Sequence, residues 1–252
     1  MKVLLHLSFL GTGYCGYQIQ PNGVTIQQKL NEATRALFGY DCDIVGCSRT
    51  DSGVHANHFC ATVSKKGTNE LVTSIPVDRI PLALANYLPD DISVFAAETV
   101  DGDFHPRYDV KFKEYVYKIW NRSTISPFYN DRTLHYPKYI DDDTLDKMNS
   151  AAQHFIGKHD FSAYMASDTK IKDTVRTIYG ARVIRNGDVI EFYVSADGFL
   201  YNMVRILTGT LLAVAEGKIE ASEIDEITLS GDRKRAGITV PAKGLFLNKV
   251  VY

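Results

Sequence analysis

The chain has 252 residues, of which 45% are hydrophobic and 23% are charged, a composition that excludes an intrinsically disordered protein. The net charge of −2 excludes a protein that attracts nucleic acid through its overall charge, so we expect any RNA site to be a local basic surface. The first residues turn polar too soon for a signal peptide or a membrane span, and we therefore expect a cytoplasmic protein.

The first half of the chain predicts a mixture of strands and helices. Residues 2–9 alternate between apolar and polar side chains, as a half-buried strand does. Thr25 and Gln28 form a capping-box pattern, which predicts a helix that begins there and ends near Gly39. Further strands are predicted at residues 44–45, 57–64 and about 92–98, and a short helix at residues 82–85.

The rest of the chain, from about residue 111, predicts the same mixture. The acidic run from Asp141 to Asp143 is typical of a helix N-terminus, and we expect that helix to end at about residue 156. Asn186 and Gly187 predict a hairpin turn between two strands. The other predicted elements are strands at residues 111–120 and 245–252 and a long apolar helix from about 198 to 216.

Hairpins mixed with helices predict an α+β fold with mixed α/β layers. A proline-bearing loop near residues 122–140 suggests an approximate boundary between two halves. We therefore expect an N-terminal α+β half at residues 1–121 and a C-terminal α+β half at residues 122–252.

The cysteines carry no sequence mark of a metal site. They include no C-x-x-C pair and no paired histidine spacing, which are common features of zinc-binding sequences. We expect no metal ligands and four reduced, partly buried thiols. The four residues are Cys15, Cys42, Cys47 and Cys60.

The most informative segment runs from Ser48 to Ala56, with the sequence S-R-T-D-S-G-V-H-A. It places Arg49 and Asp51 directly after a short β-branched run, and Gly53 can supply the positive φ of a tight turn. Such a loop could present Asp51 to a ligand at the end of a strand. The alternative is an ordinary surface ion pair beside a turn, and spacing alone does not decide between the two.

The same residues resemble the R-T-D-x-G-V-H-A signature of the TruA family of tRNA pseudouridine synthases. The resemblance implies that Asp51 is the catalytic aspartate, that Arg49 is its basic neighbour, and that His55 is one of the substrate-binding residues. The target uridine has to be flipped out of stacked RNA, and Arg49 could hold the disrupted helix or its phosphate. Asp51 could act as a nucleophile or as the base that takes a proton, and both roles stay open.

The resemblance spans nearly the whole chain and implies a fold and a function. The implied fold has two α+β halves whose sheets join around a central active-site cleft, the pseudouridine synthase fold. The implied reaction is the isomerisation of uridine to pseudouridine in the tRNA anticodon stem-loop, at positions 38, 39 and 40. It needs no redox cofactor, so we expect none. The implied partners are tRNA and a second copy of the chain in a homodimer, with no membrane.

Two more catalytic candidates come from motifs further along the chain. Arg205 ends a segment similar to the family's G-F-L-x-x-M-V-R, and an arginine in so apolar a helix needs a partner unless it reaches solvent from the helix edge. Tyr115 matches the family's active-site tyrosine, although Tyr115 and Tyr117 share a strand face and could serve only in packing. Residues 235–245 resemble the family's R-x-x-A-G-x-T-A-P-A-x-G-L and are expected to build a wall of the cleft.

Three further residues are expected to contact the substrate. His105 and Arg107 lie in a segment similar to the family's F-H-A-R-F, with a solvated loop as the alternative. Gln18 matches the first glutamine of the family's Y-x-G-W-Q-x-Q. The chain departs from the family at Leu10, where aspartate is usual, and at Tyr17, where tryptophan is usual.

Basic side chains that could line an RNA path form three groups, each of which could also be an ordinary solvated face. The groups are Lys111, Lys113, Lys118 and Arg122; Lys170, Lys172 and Arg176; and Arg233, Lys234 and Arg235.

Two other functions compete with pseudouridine formation. Gly11, Gly13 and Gly16 fit the G-x-G-x-x-G pattern of a dinucleotide-binding oxidoreductase, but the predicted helix begins only near Thr25, too late to hold a pyrophosphate. An RNA-binding paralogue with altered or lost activity is the other alternative. The presence of all four candidate catalytic residues favours an active enzyme.

Overall fold

The protein, described here by a computed structural model at residues 1–166 and 173–252, forms two compact units. The first unit comprises Met1–Lys111 and Phe246–Tyr252, and the second comprises Phe112–Leu245. The approximate boundary after residue 121 would put the strand near residues 111–120 in the first half and the C-terminal strand in the second half. In the two compact units, the strand near 111–120 belongs to the second unit and the C-terminal strand to the first. Lys170 and Lys172 of the second basic group lie outside the described residues.

The described residues are α+β, as predicted, with strands and helices in both units. In chain order the elements are β1 (Lys2–Phe9), α1 (Ile26–Phe38), β2 (Cys42–Gly46), β3 (His55–Lys65), α2 (Ile80–Leu84), β4 (Ile92–Val100), β5 (Phe112–Trp120), β6 (Leu134–His135), α3 (Asp142–Gln153), β7 (Gly157–Asp160), β8 (Val175–Asn186), β9 (Val189–Ala196), α4 (Met203–Ala215), α5 (Ile224–Ser230) and β10 (Leu245–Val251).

The first unit is built on β3, the longest strand of that unit. β1 pairs antiparallel with β3 on one side and with β4 on the other. β2 pairs antiparallel with the far end of β3, and β10 pairs parallel with its beginning, where Phe246 lies opposite His55. Phe59, Ala61 and Val63 on one face of β3 are fully buried, and Cys60, Thr62 and Ser64 on the other face are buried as well. Phe59, Ala61 and Val63 are part of the core of this unit.

Helix α1 begins and ends as its sequence predicts. The Thr25 side chain accepts a hydrogen bond from the Gln28 backbone N–H, which satisfies one of the free donors of the first turn. Gly39 ends the helix with a φ of 77°, in the left-handed region that glycine adopts without steric cost. The helix buries Ile26, Leu30 and Ala33.

The second unit has an antiparallel sheet in the order β5, β9, β8, β7, with the short β6 parallel to β5. The predicted hairpin is present, because Asn186 pairs with Val189 and Gly187 turns the chain with a φ of 61°. Helix α3 packs against β8 and against α4, which is almost entirely buried.

The largest error in a predicted helix boundary lies at the start of α4. The apolar run was expected to be helical from residue 198, but α4 begins at Met203 because Asn202 adopts a left-handed φ of 60°. Asparagine tolerates this conformation better than most residues, and hydropathy alone does not reveal it. The short α5 also escaped prediction. Across the described ranges, no helix has the length and hydrophobicity that crossing a bilayer requires.

Candidate active site

Asp51 lies in the loop between β2 and β3, residues 47–54, which we call the Asp51 loop. The Val54 N–H donates to the Asp51 carbonyl at 3.1 Å, and Gly53 has a φ of 78°. These two features turn the chain tightly just before β3, as the sequence predicts. The side chain of Asp51 is partly exposed and that of Arg49 is exposed. The loop therefore presents both residues rather than burying them.

A second segment, residues 10–17, holds the Asp51 loop through backbone contacts. The Tyr17 N–H donates to the Thr50 carbonyl at 3.2 Å, directly beside Asp51. On the other side of Asp51, the Ser52 hydroxyl donates to the Tyr14 carbonyl at 3.1 Å. Because bonds on both sides of Asp51 reach the same segment, the backbone that carries its carboxylate is fixed.

Gly16 makes this close approach possible. Its φ is 80°, and a Cβ at this position would lie 2.4 Å from the Thr50 carbonyl oxygen. Both the conformation and the space therefore require glycine. The same segment contains the G-x-G-x-x-G pattern, but α1 begins only at Ile26, so no helix N-terminus follows the glycines. The geometry that dinucleotide binding needs is missing there.

His55, the first residue of β3, is fully buried. Its Nδ1 accepts a hydrogen bond from the Gly11 N–H at 2.9 Å, so in the neutral ring the proton lies on Nε2. Its ring stacks on Phe246 with centroids 4.5 Å apart. These contacts connect the end of the Asp51 loop with residues 10–17 and with β10.

Tyr17, where the family usually has tryptophan, packs under the same segment. It is 3% exposed and stacks on Phe59 with ring centroids 4.3 Å apart. Burial raises the pKa of its phenol, Cys47 raises it further, and the Arg107 guanidinium acts in the opposite direction. Gly46 leaves room for the ring, since a Cβ there would lie 2.4 Å from Tyr17 Cε1. Tyr17 is therefore part of the core.

The expected substrate-contacting residues outside the Asp51 loop are more accessible. Gln18 is exposed, and His105 and Arg107 are partly exposed. His105 accepts a hydrogen bond at Nδ1 from the Arg107 N–H at 3.2 Å and stacks on Tyr108, which is 75% exposed. The exposed ring of Tyr108 and the partly exposed guanidinium of Arg107 could contact a nucleic acid.

In the second unit, Tyr115 lies on β5 opposite Val194 of β9 and is 7% exposed. Its ring meets Phe199 edge to face, with centroids 5.0 Å apart and planes at 82°. Tyr117, two residues further along the strand, is fully buried and donates to the Pro241 carbonyl at 2.7 Å. Burial raises the pKa of Tyr117, and Arg205 opposes this shift. The hydroxyl of Tyr117 is therefore used within the fold.

Arg205 lies in the first turn of α4 and is partly buried. Its Nε donates to the Val240 carbonyl at 2.7 Å, and a terminal nitrogen donates to Asn202 Oδ1 at 2.7 Å. Both of these acceptors are uncharged, and together the two bonds orient the guanidinium. The left-handed Asn202 that delays the helix also places its amide beside Arg205.

The A-G-I-T-V segment, residues 236–240, reaches Arg205 because two glycines allow the backbones to touch. A Cβ on Gly209 would lie 1.9 Å from the Ile238 carbonyl oxygen, and one on Gly237 would lie 2.2 Å from the Gly209 carbonyl carbon. The Gly237 N–H donates to Thr210 Oγ1 at 2.9 Å. This contact places the Val240 carbonyl beside α4.

The sequence grouped Asp51, Arg49 and His55 in one signature, and the structure has Arg49 and Asp51 in the Asp51 loop and His55 directly after it, at the start of β3. It adds three positioning residues that the sequence analysis did not single out for this purpose. Gly16 supports the Asp51 loop, whereas Asn202 and Val240 hold Arg205. Val240 acts through its carbonyl, so its side chain gives no sequence signal.

Comparisons with known proteins agree with the sequence resemblance. A family model described as tRNA pseudouridine synthase matches residues 151–252. The chain is 44% identical over 251 residues to a protein of Clostridium acetobutylicum named tRNA pseudouridine synthase A, covering 100% of this chain and 99% of the relative. Proteins of the same name from Acetivibrio thermocellus (44% over 251 residues) and Thermoanaerobacter pseudethanolicus (42% over 253 residues) match with the same coverage. At this identity over the full length, the chain belongs to the tRNA pseudouridine synthase A family.

Proposed function

We propose that the protein isomerises uridine to pseudouridine in the anticodon stem-loop of tRNA, at positions 38, 39 and 40. The observation that carries this proposal is the Asp51 loop, whose signature, turn and two-sided anchoring present a carboxylate at a fixed place. The names of the full-length relatives support the reaction and the tRNA substrate.

The reaction detaches uracil from ribose, turns the ring and rejoins it through carbon. No net oxidation or reduction occurs, so the chemistry requires no redox cofactor. Asp51 would attack as a nucleophile or take the proton as a base, and either role requires an ionised carboxylate within reach of the flipped nucleotide. Partial exposure of Asp51 fits both roles.

The other candidate residues have supporting parts in this proposal. Arg205 is assigned a catalytic part because it ends a segment similar to the family's motif, and hydrogen bonds to two neutral acceptors orient its guanidinium. Tyr115 offers an aromatic ring for the uracil and a phenol for hydrogen bonding or proton transfer. Arg49 holds the RNA from which the nucleotide has been displaced.

Substrate contacts are assigned to Gln18, His105 and Arg107, which are at least partly exposed. His55 acts on the substrate through the loop it supports, because its ring is buried. We further propose that the protein acts as a homodimer in the cytoplasm. Sedimentation of the purified protein with and without tRNA, and fractionation of cells, test these two points.

Site-resolved pseudouridine mapping on unmodified tRNA tests the function. Asp51→Asn keeps the size of the side chain and removes the charge, so we expect no new pseudouridine while tRNA binding persists. Asp78→Asn is the matched control, because Asp78 is an exposed residue of the same unit whose side chain pairs with its sequence neighbour Arg79 at 3.5 Å. It should retain the activity of the parent.

The alternatives give different results in the same assay. Full turnover by Asp51→Asn would remove Asp51 from the mechanism. Binding of tRNA by the parent without any product would favour the RNA-binding paralogue. Product outside positions 38–40 would retain the reaction and change the substrate assignment.

A further inference from the structure

A cluster of metal-ligating side chains lies on the sheet of the first unit, and the proposed reaction does not use it. His6 on β1 is the direct cross-strand neighbour of Cys60 on β3, and His58 precedes Cys60 by two residues on the same face of that strand. One ligating atom from each residue lies within 4.8 Å of the other two. Two imidazoles and one thiol therefore converge from two adjacent strands.

The distances between the three atoms are close to those of a tetrahedral zinc site. His6 Nδ1 and His58 Nε2 are 2.9 Å apart, and Cys60 Sγ lies 3.6 Å from the first and 3.4 Å from the second. Zinc bonds of about 2.05 Å to nitrogen and about 2.3 Å to sulfur at tetrahedral angles require about 3.3 Å between nitrogens and about 3.6 Å between nitrogen and sulfur. Only the two imidazoles have to move apart, by about 0.4 Å, and turn toward the ion.

A carboxylate supports the cluster from outside. Glu98 on β4 lies 2.9 Å from His6 Nε2, on the far side of the ring from the cluster. When Glu98 accepts a hydrogen bond from the Nε2–H group of His6, the lone pair of that ring lies on Nδ1. Nδ1 faces His58 and Cys60. Metal-bound histidines usually donate their second nitrogen to a carboxylate in this manner.

The burial and charges around the cluster partly favour and partly oppose the binding of a cation. Burial, followed by His6 and Lys249, lowers the pKa of His58 and favours the neutral ring that binds a metal. Burial, followed by Cys47, raises the pKa of the Cys60 thiol, so a metal has to displace a proton there. Lys249 repels a cation, whereas Glu98 attracts one. The free energy of the bond between the thiolate and a divalent ion offsets the cost of deprotonating the Cys60 thiol, as in structural zinc sites.

We propose that His6 Nδ1, His58 Nε2 and Cys60 Sγ bind one Zn²⁺, with Glu98 positioning His6 and water in the fourth coordination position. Binding releases the Cys60 thiol proton to solvent and moves the His58 proton from Nε2 to Nδ1. Nitrogen and sulfur donors in a set of three suit zinc better than magnesium or calcium. The site connects β1 and β3 across the sheet, so its role is to stabilise the first unit.

The sequence spacing hides this site. His6 and Cys60 are 54 positions apart, and they meet only because β1 and β3 pair in the observed register. The prediction that the chain holds no metal ligands rested on C-x-x-C and histidine spacings within one segment. A site shared between two strands does not produce such spacings.

Cobalt titration of the full-length protein tests the proposal. After treatment with a chelator and its removal, the protein is titrated with Co²⁺ and followed by absorbance. We expect one ion per chain, a thiolate-to-cobalt charge-transfer band, and loss of the band when Zn²⁺ is added. Zn²⁺ should also raise the unfolding temperature of the stripped protein.

Four variants assign the signal to the cluster. Cys60→Ser should abolish the band, and Cys42→Ser should retain it, since Cys42 is a cysteine of the same unit on β2. His58 is half-buried, so its replacement should disturb the fold less than a change at the buried Cys60. We expect His58→Gln to weaken cobalt binding at least tenfold. Glu98→Gln should weaken it about 10-fold to 100-fold, because it removes the charge but can keep a hydrogen bond.

The result that overturns the proposal is the absence of a charge-transfer band in the folded parent, or a band that survives both Cys60→Ser and His58→Gln. Preferential binding of Cu²⁺ with no uptake of Co²⁺ would overturn the assignment to zinc. Pseudouridine formation by the metal-free protein should equal that of the loaded protein. This last measurement separates the metal site from the proposed reaction, because the ligands are not among its catalytic residues.

Discussion

The Asp51 loop and the Arg205 turn of α4 position their functional groups in different ways. Residues 10–17 hold the Asp51 loop mainly through backbone hydrogen bonds, and Gly16 contributes an unusual conformation as well as space. Around Arg205, by contrast, Gly209 lies in an ordinary helix and contributes only space, which lets the Val240 carbonyl reach the guanidinium. The position of a functional group on this loop therefore depends on which φ and ψ angles the backbone can adopt. On the helix, it depends on how closely another segment can approach.

This difference explains why the two regions should respond differently to the same mutation. Alanine at Gly16 disturbs the contact that fixes the backbone beside Asp51, so catalysis should suffer more than stability. Alanine at Gly209 disturbs two packed backbones that cannot separate without opening the core, so stability should suffer more.

The largest expected effect is that of Gly209→Ala. The new Cβ would lie 1.9 Å from the Ile238 carbonyl oxygen, a backbone atom that cannot move alone. We expect the free energy of unfolding to fall by about 3 kcal/mol, the upper part of the usual range for overpacking. Thermal and urea unfolding measure the change. Gly13→Ala is the control, because a Cβ there meets no atom within 4 Å, and an equal loss in both variants would refute the steric explanation.

Gly16→Ala is expected to cost about 2 kcal/mol of stability, because alanine tolerates a positive φ poorly. Its Cβ would also push on the Thr50 carbonyl, next to Asp51. Pseudouridine formation per folded molecule should therefore fall at least tenfold, with tRNA binding less affected. Single-turnover kinetics on one tRNA measure this split. Unchanged turnover in a destabilised protein would show that the segment supports the fold and not the position of Asp51.

His55→Leu should have the smallest effect of the three. It leaves the buried Gly11 N–H without its acceptor, which typically costs about 1–2 kcal/mol. His55→Asn provides a side-chain oxygen near the same place and should recover part of that loss. Equal stability of the two variants would mean that the ring stack on Phe246, which both remove, accounts for the contribution of His55.

Local sequence signals predicted much of the fold. Thr25 and Gly39 delimit α1, and Gly187 turns the β8–β9 hairpin, because in each case the requirement for the residue is local. The predicted start of α4 was wrong because the left-handed conformation of Asn202 depends on its surroundings.

The candidate site was only partly predictable for the same reason. Asp51, Arg49 and His55 lie in one continuous signature, so the sequence could group them. The acceptor for Arg205 is a carbonyl 35 positions away, which any residue at 240 would supply. The cross-strand cluster of His6 and Cys60 depends on strand register, which requires the folded sheet. Contacts between distant segments are the part that a linear pattern does not contain.

The parallel pairing of β10 with the beginning of β3 has a consequence during synthesis. Phe246 lies opposite His55, although the ribosome makes it about 190 residues later, and pairing over such separations is slow because a long loop has to close. Until then, the start of β3 directly after the Asp51 loop has an unpaired edge, which is open to incorrect partners. A nascent chain that has completed β1 to β4 therefore already contains Asp51 but still lacks the strand that completes its support.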